Sequence, residues 1–207
     1  MSSPAVPVPS GDERAVAGTS SSVLGMVLFV ASESMFFAAF FGAYATTYVN
    51  QKVWPPDNTP APPLGLPTAA VASLVLSGLL LRGALRAGRR GLPQAVSSWL
   101  VLTLAAGVAS VVLTLVAYSE VGFGLHAGIF ASLFYLMTGL GLAHVAGGVV
   151  LLALVAAQSL TGRLALVRYQ PVQAAAVYWN FVVVLGLVIY VVFYVVTNTG
   201  GQREGSR

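Results

Sequence analysis

Charge placement constrains this chain more than any other feature. Its ten lysines and arginines and six acids gather in short clusters, and no charge falls between Arg168 and Arg203. Only Glu33 interrupts the run from Arg14 to Lys52. With 57% hydrophobic and 8% charged residues, the chain is too apolar for a water-soluble globule, and the alternation of uncharged runs with charged clusters is that of membrane spans and loops. Crossing the hydrocarbon core takes about 20 apolar residues, and five segments qualify: 22–49, 64–85, 94–118, 126–158 and 172–197. Backbone amides in lipid must be bonded within the segment, and the runs show no strand-like alternation. The sequence therefore predicts an all-α polytopic membrane protein with five transmembrane helices, the fourth long enough to require tilt. Residues 1–21 are rich in Pro, Ser and Ala without a basic n-region, so they read as a disordered tail rather than a cleaved signal, and 199–207 reads as a short polar tail.

The basic residues set the expected orientation. If the amino terminus shares a side with loops two and four, that side holds Arg14, Arg82, Arg86, Arg89, Arg90, Arg163 and Arg168, which is seven of the ten bases. The positive-inside rule then places the amino terminus in the cytoplasm and the carboxyl terminus outside. Ten bases spread over short loops form no continuous stripe for nucleic acid, despite a pI near 9.7. The absence of cysteine excludes disulfides, thiol catalysis and cysteine-ligated zinc or iron–sulfur clusters. Two histidines supply too few ligands for a copper site, and no serine, cysteine or aspartate arrangement for hydrolysis is present. The chain is expected to carry no redox, hydrolytic or metal centre of its own. Gly124 and Gly128 have the GxxxG spacing that favours close helix contacts, and Trp54 beside Pro55 and Pro56 predicts an interfacial turn.

Glu33 lies about eleven residues into the first span, roughly 16 Å deep at about 1.5 Å per residue. An ionised carboxylate is costly there, so the acid is expected to be neutral unless a partner or a water-filled crevice holds it. It is either packing glue between helices or a functional site, with Ser32 and Ser34 as polar neighbours. His144, in the fourth span, falls within several Å of the same depth, so the two are candidates to pair or to relay a proton. The alternative for His144 is a neutral core imidazole bonded to a hydroxyl or a carbonyl. His126 reads as interfacial. Phe29, Phe36, Phe37, Phe40 and Phe41 cover most of one side of the first helix, either as ordinary aromatic packing or as the lining of a lipid or gas path.

Four stretches together resemble subunit III of the haem-copper cytochrome c oxidases in its short five-helix bacterial form. "LFVASESMFFAAFF" looks like the family's Glu-containing helix, "WPP" follows at the expected distance, "FYLMTGLGLAHVAGG" looks like its Thr-Gly and His-Val signature, and "YWNF" opens the last helix. The likeness covers about residues 23–197. It implies a helix bundle that packs on the side of the catalytic subunit, holds no haem or copper itself, binds phospholipid in a cleft, and supports proton uptake and turnover stability. Haem and copper would sit in partner subunits I and II, and the complex would sit in a bacterial cytoplasmic membrane, with a respiratory supercomplex as a further partner. Glu33 falls at the family's buried carboxylate and His144 at the second histidine of its signature. Thr138 and Asn180 are further polar neighbours in the matched motifs. This sequence departs from the family at Gly141 and Asn180, where histidines are usual, and at Val183, where an aspartate is usual, so its polar network is thinner. It also lacks two helices that help enclose the lipid cleft in longer members.

The sequence thus points to a noncatalytic subunit of a proton-pumping terminal oxidase, with quinol oxidase subunit III and a nitric oxide reductase accessory protein as relatives of the same fold. The rival class is a small autonomous proton-coupled transporter in which Glu33 carries the proton.

Overall fold

A computed structural model describes residues 11–56, 59–162 and 170–200. Among these residues the chain is all helical, with no strand. Its elements are α1 (Gly11–Asn50), α2 (Gly65–Arg89), α3 (Pro93–Glu120), α4 (Ile129–Leu160) and α5 (Gln170–Tyr190), with a π-helical turn at Val191–Val195 leading into α6 (Val196–Gly200). Among the described residues five stretches are long and apolar enough to cross a membrane: Ser22–Asn50, Gly65–Arg89, Pro93–Glu120, Ile129–Leu160 and Gln170–Thr199. Each overlaps one of the five expected spans.

Helices α2, α3, α4 and α5 pack in a closed ring, each against the next and α5 back against α2, while α1 lies outside it, mainly along α5. The ring closes around Trp179. Its indole N–H donates to Ser77 Oγ of α2 at 2.9 Å, and its ring lies against Gly107 of α3 and Gly148 of α4. A Cβ on Gly148 would stand 2.5 Å from Trp179 Cζ3, so the small residue is what lets a tryptophan fill the centre. The α2–α3 turn is a Schellman motif. Gly91 has φ +68°, its N–H bonds the Gly88 carbonyl, the Leu92 N–H bonds the Ala87 carbonyl, and Pro93 starts α3 where no intrahelical donor is needed.

The second core is aromatic and sits at the opposite end. Phe123, Phe130, Phe134 and Phe193 are buried together, with Trp54 edge-on to Tyr44, Tyr48 and Phe130 at centroid distances of 5.2, 5.0 and 5.3 Å. Trp54, in the turn after α1, is thus folded into the bundle end against the last turns of α1 and the first turn of α4.

Two expectations differ from the fold. Helix α1 begins at Gly11, so the expected irregular tail of 1–21 is already helical over 11–21, where Glu13, Arg14, Ala15 and Ala17 are good helix formers. Residues 1–10 lie outside the described residues. Gly124 and Gly128 sit in the loop before α4, so their GxxxG spacing joins no helices; close approach is made at Gly107 and Gly148 instead. His126 is exposed in that same loop, three residues before α4 starts at Ile129. Arg163, Arg168, Arg203 and Arg207, which entered the orientation count, lie outside the described residues.

Candidate functional site

Helix α1 meets the bundle along a narrow seam. Val23, Met26, Val30, Glu33, Phe37, Phe40, Tyr44 and Thr47 recur at alternating spacings of three and four and are buried or half-buried. Glu33 is the acidic member of this stripe. Phe29 and Phe36, off the stripe, are each 47% exposed, whereas Phe37 is 2% exposed. The five phenylalanines therefore divide between the seam and the outer face.

The stripe carries Glu33 to His144 of α4. Oε2 and Nε2 are 3.1 Å apart, with side-chain exposures of 23% and 15%. The other ring nitrogen, Nδ1, lies 2.8 Å from the Leu140 carbonyl one turn earlier in α4. A carbonyl can only accept, so Nδ1 carries hydrogen. In a neutral ring Nε2 is then a bare acceptor, and Glu33 must donate from a protonated carboxyl; in the ionic form Nε2–H⁺ donates to a carboxylate. Both arrangements place one proton between the same two atoms and carry no net charge. That neutrality suits a pair carried on helices apolar enough to cross a membrane, since an isolated ion at the centre of such a span costs about 3 kcal/mol or more.

Aromatic rings enclose the pair. Phe37, one turn after Glu33, lies edge-on to the imidazole at 5.1 Å, and Phe181 of α5 lies at 6.5 Å. The Tyr178 hydroxyl donates to the His144 carbonyl at 3.2 Å, which ties α5 to the same turn of α4. Sequence reasoning missed Phe37, Leu140, Tyr178 and Phe181 as members of the site. Two of them follow a helical rule, since Phe37 is four residues after Glu33 and Leu140 four before His144. The other two depend on how α5 packs.

The remaining candidates do not reach the pair. Ser32 and Ser34 are exposed and donate to the Leu28 and Val30 carbonyls of their own helix at 3.1 and 2.7 Å. Thr138 is buried, donating to the Phe134 carbonyl at 2.6 Å and accepting from Tyr118 at 3.0 Å. Asn180 is exposed and donates to the Ala176 carbonyl at 2.8 Å. Gly141 and Val183, the family's other departures, face Ile189 and Gly78. Among the described residues no three His, Cys, Asp or Glu side chains lie close enough to hold a metal ion.

Fold and site together define a polytopic helical membrane protein with one acid–imidazole pair inside its spans. Residues 11–198 match the family model described as Cytochrome c oxidase subunit III. A protein of Pylaiella littoralis named Cytochrome c oxidase subunit 3 is 33% identical over 177 residues, covering 83% of this chain and 65% of its own length. Proteins of the same name from Thermostichus vulcanus and from Synechocystis are 29% and 31% identical, covering 85% and 83% of this chain and 88% and 74% of their own. The chain belongs to the cytochrome c oxidase subunit III family.

Proposed function

We propose that this chain is the noncatalytic third subunit of a proton-pumping haem-copper terminal oxidase, most directly a cytochrome c oxidase, in a bacterial cytoplasmic membrane. Its amino terminus faces the cytoplasm. It packs beside the catalytic subunit I, in a complex that also holds subunit II, and carries bound phospholipid. The haem and copper belong to the partners. The family match over residues 11–198 carries this reading, and it favours an oxidase subunit over an autonomous carrier, which has no need of the whole five-helix pattern.

Within that role the Glu33–His144 pair stores one proton at mid-membrane and fastens α1 to α4. Glu33 and His144 are positioning residues for the complex and touch no reacting atom. The test is to tag the carboxyl terminus, purify in mild detergent, and record reduced-minus-oxidised spectra and oxygen uptake of the copurifying material. Haem bands with cytochrome c-driven oxygen consumption support the subunit. A colourless chain that instead catalyses substrate-dependent proton flux in vesicles would overturn it in favour of the transporter.

A further inference from the structure

Inside the ring, between Trp179 and the end of the bundle opposite the arginines, lies a cavity of about 80 Å³. All four ring helices wall it, and α1 does not. Leu74, Ser110, Val145 and Gly186 border its deeper part, and Thr138 and Tyr194 border the part nearer the bundle end. Trp179 closes the deep side, because Gly107 and Gly148, which its ring rests on, are one turn from Ser110 and Val145.

Most of this wall is apolar, yet it carries two buried hydroxyls without a protein partner. Ser110 is 3% exposed, and the Ala106 carbonyl one turn back, which a helical serine ordinarily bonds, accepts from Ser73 at 2.9 Å. Tyr194 is 5% exposed, its ring stacked on Tyr190 and edge-on to Phe134. Among the described residues neither hydroxyl makes a hydrogen bond, whereas the other hydroxyls of the wall do. Thr114 donates to the Ser110 carbonyl at 2.8 Å, Thr138 joins Tyr118 to the Phe134 carbonyl, and Tyr190 bonds Thr68 at 2.6 Å.

An unpaired buried hydroxyl bears the cost of its lost hydration, so buried polar groups are met by protein or by ordered water. A single water needs about 10–15 Å³ of such space, and this cavity offers several times that. An acyl chain or an apolar gas would leave both hydroxyls unsatisfied. An ion would lack a counter-charge, since no charged side chain lies on the wall. Water also has a way in, because Thr68, the partner of Tyr190, is exposed.

We propose that this cavity is a water crevice, blind at Trp179, in which ordered water is held by the hydroxyls of Ser110 and Tyr194 and enters beside the Thr68–Tyr190 pair. Ser110 lies ten residues before the end of α3 at Glu120, so water reaches about 15 Å into the apolar bundle without a path through it. The inference is independent of the oxidase reading, and its ligand differs from the phospholipid proposed above.

The chain has no cysteine, so a single introduced thiol reports on the crevice. Methyl methanethiosulfonate is attacked by thiolate, which forms only where water can take up the proton. The full chain, purified with whatever it copurifies with, is compared as Ser110→Cys, Leu152→Cys and His126→Cys, and thermal melting confirms that each is folded. Leu152 is 1% exposed in the packed core beyond Trp179, and His126 is in an exposed loop. By mass spectrometry Ser110→Cys is expected to be modified about ten-fold or more faster than Leu152→Cys, at a rate that rises with pH as the thiolate fraction does. Electron cryomicroscopy of the native protein gives a second reading that needs no variant: discrete water density within about 3.2 Å of Ser110 Oγ and of the Tyr194 hydroxyl. A folded Ser110→Cys as slow as Leu152→Cys overturns the crevice, as does acyl-chain density, or none, in front of the two hydroxyls.

Discussion

Glu33 is tolerated in its apolar helix because His144 stands 3.1 Å away and the Leu140 carbonyl fixes which ring nitrogen faces it. This geometry makes substitutions at Glu33 unequal. A glutamine amide can donate to Nε2 as a protonated carboxyl does, so Glu33→Gln is expected to keep thermal stability within about 0.5 kcal/mol of the native protein. Glu33→Ala leaves a half-buried Nε2 without its partner and is expected to cost about 1–3 kcal/mol. Detergent-solubilised melting curves measure the difference; no loss in Glu33→Ala would show that the bond contributes nothing. Infrared spectroscopy addresses where the proton sits. A carboxylic-acid C=O band lost in Glu33→Gln identifies the neutral form, and a carboxylate band lost instead identifies the ionic one. For the complex, Glu33→Ala is expected to leave haem content normal while oxygen uptake declines faster over repeated turnovers.

Among the helices, packing is decided by small residues and by one irregular turn. Gly148 and Gly25 both sit within helices, but a Cβ at Gly148 would meet Trp179 at 2.5 Å, whereas one at Gly25 meets nothing within 4 Å. Gly148→Ala is expected to destabilise by about 1–3 kcal/mol through overpacking, and Gly25→Ala to be neutral or slightly stabilising. Unfolding in mixed detergent compares them, and a Gly148→Ala as stable as the native protein would show that Trp179 can move aside. The π turn at Val191–Val195 interrupts the regular ladder of the last span, and the Tyr44 hydroxyl donates to the Val192 carbonyl at 3.1 Å. Tyr44→Phe is expected to lose about 1 kcal/mol and to raise hydrogen exchange around residues 191–196.

Taken as a whole, the described residues form a four-helix ring with a fifth long helix on its outside. A far smaller share of α1 is buried than of the other spans, and its main neighbour is α5. Helix α1 is therefore expected to open first, with its amides exchanging ahead of those around Trp179 in detergent. Topology is open to direct measurement because the chain has no cysteine. Single cysteines at Lys52 and His126 are expected to react with an impermeant maleimide in intact cells, and one at Arg90 only in inverted vesicles. The reverse pattern would invert the proposed orientation.

Five helices long and apolar enough to cross a membrane were legible in the sequence, because the cost of burying charge and unbonded backbone in hydrocarbon acts on each segment separately. The pairing of Glu33 with His144 was legible only as a coincidence of depth. What brings them together is the rotation of α1 about its own axis, set by which residues of its seam fit the groove of α4 and α5. That same rotation turned Ser32 and Ser34 outward and divided the phenylalanines between seam and surface. The apolar runs could not foretell it, since in a uniformly hydrophobic helix every face satisfies the membrane equally. Which face turns inward is decided by side-chain fit between helices, and that information exists only in the tertiary structure.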